Sequence, residues 1–217
     1  MIVSTGRGYI FVHIPKTGGT SLALALEDRV MADDILIGDT PKARKRKRRL
    51  KGVQTAGRLW KHSTLSDIEG LLTRDQIASL AVFTLVRNPW DRAVSYYHWL
   101  QGQSFEHPAV GLAKSLPFGE FLCHPVVSAS FAASPYGSYL RDGEGQPHPR
   151  ATYIRLEHLA ADLQPIEAML GFEIAVGHTN RSDRDADWRG YYDAAVADHL
   201  ATLCAEDIAR FGYSFDG

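Results

Sequence analysis

The residues best suited to chemistry sit in one short run, Lys16-Thr17-Gly18-Gly19-Thr20-Ser21, and in a downstream pair eight positions apart, Arg87 and Ser95. The run gathers an ammonium, three hydroxyls and two glycines. Glycine lets the backbone turn sharply and approach a ligand with no Cβ in the way. Thr20 or Ser21 is placed to cap a following helix, whose first N–H groups then point at the same spot. Such a donor set suits a phosphate or sulfate group. The plain alternative is a turn with a solvated lysine, and the convergence of residue types argues against it. Lys16 precedes the glycine pair, so the order required of an ATP or GTP Walker A loop is not met. Arg87 offers a planar fork for phosphate oxygens, and Ser95 a short hydroxyl.

The flanking elements follow from periodicity. Residues 9–14 form a short apolar run that Pro15 must end, which predicts a strand, and Leu22, Leu26 and Val30 recur at helical spacing behind the glycines. The same strand, loop and helix logic repeats at Ala81–Val86, where Pro89 marks the start of a helix carrying Ser95. A third strand is expected at 152–156, with an amphipathic helix from Glu157 to Leu170 ended by Gly171. Leu65, Ile68, Leu71 and Leu72 predict a short helix just after His62, and a long helix is expected from about Asp193 to Arg210. Strands each followed by a helix imply an α/β fold, a three-layer sandwich of P-loop-like type with a mainly parallel central sheet flanked by helices.

At 217 residues and 45% apolar content, one domain spanning 1–217 is expected. No uninterrupted apolar run approaches a membrane span and no leader pattern opens the chain, so the sequence predicts a cytoplasmic protein. Cys123 and Cys204 have neither metal spacing nor disulfide density, and the histidines at 107, 124 and 148 are scattered, so no metal is predicted. The net charge of −1 conceals a segment, 42–51, that holds eight of the 24 basic residues and no acid. Residues 38–52 read as a basic loop or insertion, suited to an anionic partner or a peripheral membrane contact; general nucleic-acid binding is not expected. Residues 101–150 alternate turn formers with apolar patches and read as an acceptor-side or lid region.

The stretch Pro15-Lys16-Thr17-Gly18-Gly19-Thr20-Ser21 resembles the 5′-phosphosulfate loop of sulfotransferases that use 3′-phosphoadenosine 5′-phosphosulfate (PAPS), in the branch with many carbohydrate sulfotransferases and their bacterial relatives. Arg87 with Ser95 is similar to the 3′-phosphate motif of that family. The order Asn180, Ser182, Arg184, then Tyr191-Tyr192 and a final helix is similar to the segment that folds back over the nucleotide. The resemblance implies sulfuryl transfer from PAPS to a hydroxyl or amine of a glycan, glycolipid or small-molecule acceptor, without a metal, releasing adenosine 3′,5′-bisphosphate. It implies cofactor contacts from Lys16, Thr17, Gly18, Gly19, Thr20, Ser21, Arg87, Ser95, Asn180, Ser182 and Arg184. A histidine between the two nucleotide motifs often reaches the acceptor in that family, which points to His62 as general base beside Lys16 as the second catalytic residue. The rivals for that role are His13, which strand alternation places with Tyr9 and Phe11, then Glu27 and His98. Two other classes compete: a nucleotide-dependent phosphotransferase, and a non-catalytic module that binds polyanions through the basic segment.

Overall fold

The computed structural model describes residues 1–177, 185 and 187–216. In chain order these form β1 (Ile2–Ser4), β2 (Tyr9–Val12), α1 (Gly19–Glu27), β3 (Ile35–Leu36), α2 (Pro41–Arg46), α3 (Arg74–Ser79) and β4 (Ala81–Val86). There follow α4 (Pro89–Gln101), α5 (Pro108–Ser115), α6 (Phe118–Cys123), α7 (Pro125–Ala132), β5 (Ala151–Arg155), α8 (Leu159–Leu170), α9 (Ala194–Leu203) and α10 (Ala205–Phe211). The chain divides into two compact units, the first built from Met1–Val86 with the chain from Tyr136 onward to residue 177, the second from Arg87–Pro135 with the C-terminal helices.

The first unit holds a five-stranded sheet in the order β3-β1-β2-β4-β5. Strands β2, β4 and β5 are parallel, with ladders of four and five residue pairs, while β1 pairs antiparallel with β2 and β3 over three and two. This is the mainly parallel α/β sheet with flanking helices that the sequence predicts. Every residue of β2 is buried, as are the last five of β4, which is why both strands read as continuous apolar runs rather than alternating ones. Phe11 and Phe83 pack with ring centroids 5.6 Å apart, and Leu22 and Leu26 of α1 with Leu163 and Ile166 of α8 bury the same core. Thr84, a polar residue mid-strand, donates its hydroxyl to the Val12 carbonyl at 2.8 Å.

Several expected boundaries differ. Strand β2 stops at Val12 rather than Ile14, because the next two carbonyls are taken by side chains: His13's by the His62 ring and Ile14's by the Thr17 hydroxyl. The predicted helix after His62 shrinks to a 3-10 turn at Ser66–Ile68. Thr64 and Asp67 close it with reciprocal side-chain to backbone bonds of 2.7 and 3.2 Å.

Residues 38–52 are not a loop. They contain α2 and a 3-10 turn at Lys47–Leu50. Thr40 accepts from the Ala43 amide at 3.1 Å and Pro41 occupies the first turn, so the start is well capped. Ala43 is buried, and three of the cations turn back onto carbonyls: Lys42 onto Glu27, Arg46 onto Met31 and Asp34, and Arg49 onto Ala32 and Asp34.

The second unit packs α4 to α7, α9 and α10 around Trp90, Val94, Phe121 and Leu200. The 101–150 stretch supplies α5, α6 and α7, two of them opened by a histidine cap and a proline. The rings of His107 and His124 accept from the amides of Ala109 and Val126 at 3.2 and 3.3 Å. The single long helix expected from 193 to 210 is two, α9 and α10, broken at Cys204. There the backbone leaves the helical region (φ −108°, ψ 21°), and both Leu200 and Cys204 stay buried.

Candidate functional site

In the first unit, the loop between β2 and α1 is held from several sides. Thr17 is fully buried and its hydroxyl donates to the Ile14 carbonyl at 3.0 Å, so it staples the loop. Lys16 adopts φ 66°, a left-handed conformation uncommon for a residue with a side chain. Gly18 (φ 86°) is the N-cap of α1 and offers no side-chain cap, so neither Thr20 nor Ser21 caps the helix as expected. The helix starts two to three residues earlier than either cap would set it, which places both hydroxyls in its first turn, half-exposed with Lys16 and Gly18.

Packing demands the two glycines as well. A Cβ on Gly18 would stand 3.0 Å from Leu156 Cδ1, and one on Gly19 would stand 2.2 Å from the His13 ring. His13 is thus wedged beneath the start of α1 and stacked on Phe11, as its strand face predicts. The close backbone approach at Gly19 exists to fit an imidazole.

His62 lies against His13, with ring centroids 4.7 Å apart and nearly edge-on. Its Nδ1–H donates to the His13 carbonyl at 2.7 Å, which fixes the tautomer and leaves the lone pair on Nε2. Burial holds the His62 imidazole down to about pKa 4, overcoming the opposing pull of that hydrogen bond, and Lys61 adds to the depression. Burial, followed by the neighbouring His62 imidazole whenever that ring is protonated, holds His13 well below the ordinary range. Both rings are neutral near pH 7. The Trp60 indole, 45% exposed, meets His62 edge-on at 5.0 Å.

A small cavity beside these rings is lined by His13, Thr20, Glu27, Asp39, Thr40 and Lys61. Both of its acids are already engaged. The Glu27 carboxylate accepts from the Thr40 hydroxyl at 2.5 Å, with burial raising its pKa, and Asp39 pairs with Lys61 at 2.8 Å.

In the second unit, Arg87 follows directly on β4, and Asn88 caps α4 by accepting from the Trp90 amide at 3.0 Å. The Arg87 guanidinium grips Asp91 one turn into the helix, Nε at 2.7 Å and Nη2 at 2.6 Å. Ser95 is buried two turns in. The structure therefore keeps the loop residues with His13 and His62 in one unit, and Arg87 with Ser95 in the other. Asn180, Ser182 and Arg184 lie outside the described residues. His98 stands late in α4 of the second unit, against Tyr191. Sequence reasoning missed Asp91, although an acid four residues after an arginine at a helix start is a legible signal. It also missed Trp60, whose role depends on a contact that no periodicity reveals.

Among the described residues, no group of three or more His, Cys, Asp or Glu side chains is placed to hold a metal ion, and no helix is long and apolar enough to cross a membrane.

No family model matches the chain, and no curated protein does. Among solved structures, the fold is similar to that of mouse sulfotransferase SULT7A1 complexed with PAP, at a TM-score of 0.55 and 17% sequence identity, over 95% of this chain and 86% of that one. The shared property is the fold, an α/β arrangement of a mainly parallel sheet with flanking helices.

Proposed function

We propose that the chain is a PAPS-dependent sulfotransferase that moves a sulfuryl group to a hydroxyl or amine of a glycan, glycolipid or small-molecule acceptor. The observation that carries this reading is the loop from Pro15 to Ser21, set at the C-terminal end of parallel strand β2 and opening α1, in a fold similar to that of a sulfotransferase complexed with PAP. Ligands in open parallel sheets bind beyond the strand C-termini, where this loop lies.

The donor set fits a phosphosulfate. Lys16 contributes a full charge, the first turn of α1 its N–H groups, and Thr20 and Ser21 their hydroxyls; Thr17 serves by holding the loop shut from beneath. PAPS supplies the activated sulfuryl group. Lys16 and the loop amides stabilise the negative charge that grows on the departing 5′-phosphate oxygens. His62, neutral and with Nε2 unprotonated, removes the acceptor proton, and the His13 carbonyl orients it. Arg87 and Ser95 are assigned the 3′-phosphate, with Asp91 setting the direction of the guanidinium fork. Asn180, Ser182 and Arg184 are assigned to the nucleotide on sequence order alone.

Equilibrium binding of adenosine 3′,5′-bisphosphate against ATP with magnesium tests the proposal. Preference for the bisphosphate is expected. Preference for ATP would replace the reading with phosphotransfer, and the absence of nucleotide binding would leave a polyanion-binding module.

A further inference from the structure

We propose that the outer side of α2 and the 3-10 turn after it is a docking surface for an anionic lipid bilayer, a function separate from the transfer chemistry. The basic segment divides by partner. Lys42, Arg46 and Arg49 bond backbone carbonyls, although Lys42 and Arg49 stay exposed, Lys42 also pairs with Asp28 at 3.6 Å, and Ala43 is buried, so the element is fixed to the first unit. Arg44, Lys45, Lys47, Arg48 and Lys51 are all exposed, and none of their side chains forms a hydrogen bond or ion pair among the described residues.

Five like charges held on one ridge repel one another, and the sequence offers no acid from Thr40 to Ser66; Asp39, whose carboxyl Arg44 helps hold ionised, is already paired with Lys61. A negative surface does. Each Lys or Arg brought to an anionic leaflet contributes roughly 1 kcal/mol, about fivefold in affinity. Two features favour a bilayer over a strand of nucleic acid. No aromatic residue stands between Gly38 and Leu59, so the ridge itself offers bases nothing to stack on, and the neighbouring exposed Trp60 packs edge-on against His62. Met31, whose carbonyl receives Arg46, is 38% exposed at the base of the ridge and adds an apolar side chain of the kind that settles at a headgroup boundary. The rest of the chain carries a net negative charge, so this ridge alone would turn toward the membrane.

The test is co-sedimentation with vesicles of phosphatidylcholine alone and of phosphatidylcholine with phosphatidylserine. Wild-type protein is compared with a variant carrying Arg44→Gln, Lys45→Gln, Lys47→Gln and Arg48→Gln, outward residues whose loss should leave the melting temperature unchanged. Binding only to the serine-lipid vesicles is expected, weakening steeply with salt and falling by at least about a hundredfold in the variant. Equal binding to both vesicle types, or binding that neither salt nor the four substitutions weaken, overturns the proposal. So does heparin binding without vesicle binding, which would make the ridge a site for soluble polyanions.

Discussion

Replacing His62 by Gln should change how stability depends on pH, in a direction set by the burial of its ring. In the folded protein burial holds the imidazole at about pKa 4, against an ordinary 6.5 in the unfolded chain. Between those values the unfolded state binds more protons, so stability is complete above about pH 6.5 and is lost as pH falls toward 4. At 1.36 kcal/mol per pH unit the full swing is about 3 kcal/mol. The ring is only half-buried, and solvent screening brings the expectation to about 2 kcal/mol. His13 works in the same direction and is present in both proteins, and because burial is the larger cause of its shift most of its contribution cancels. Gln retains an amide that can donate to the His13 carbonyl, which keeps the comparison fair. Urea unfolding across this pH range should show the wild type losing about 2 kcal/mol more than the variant. Parallel curves for the two proteins would refute the claim that His62 is held neutral by burial. The same logic places the acid limb of kcat/KM for the nucleotide well below pH 6, and a limb near 6.5 would count against His62 as the base.

Lys16→Ala should abolish single-turnover sulfuryl transfer while leaving the fold intact, since Lys16 is half-exposed and serves the departing phosphate. Lys16→Gly should be equally inactive but melt higher than Lys16→Ala, because glycine accepts φ 66° without the roughly 1 kcal/mol cost of a Cβ there. Arg87→Ala should weaken adenosine 3′,5′-bisphosphate ten- to a hundredfold, from a charged hydrogen bond of roughly 1.5–3 kcal/mol, and barely touch the 5′-monophosphate; equal losses would dismiss the 3′-phosphate role. Asp91→Asn should tighten the bisphosphate, because it removes the carboxylate that now neutralises Arg87. Gly19→Ala should cost roughly 1–3 kcal/mol in denaturant titrations, since its Cβ would drive into the His13 ring 2.2 Å away.

The elements that carry an apolar period were legible in advance: β2, β4, β5 and α8, with Gly171 at its C-terminus in the left-handed conformation (φ 75°). Strands β1 and β3 were not, for three and two residues are too few to display alternation. The helix in the basic segment was hidden for another reason. It buries only Ala43, and what holds it are carbonyls 12 to 17 residues earlier in the chain, a tertiary cause with no local trace. At the site, the loop could be read from residue types, and His62 could be named. Its anchor on a carbonyl 49 residues away could not, nor could the imidazole that Gly19 makes room for.

The order of the strands also bears on how the protein is made. Ala151 pairs with Val82, and Arg155 with Val86, so the last parallel ladder joins segments about 70 residues apart, with much of the second unit's chain emerging between them. Closing so long a loop is an entropic obstacle, and parallel pairing gives no reward until it is closed. On the ribosome β4 is complete well before β5 and α8 exist. During that interval its outer edge is open to strangers, and the core face of Phe83 and Leu85 lacks the cover of Leu163 and Ile166. A nascent chain stalled between residues 87 and 150 is therefore the form of this protein most prone to aggregate and most in need of a chaperone.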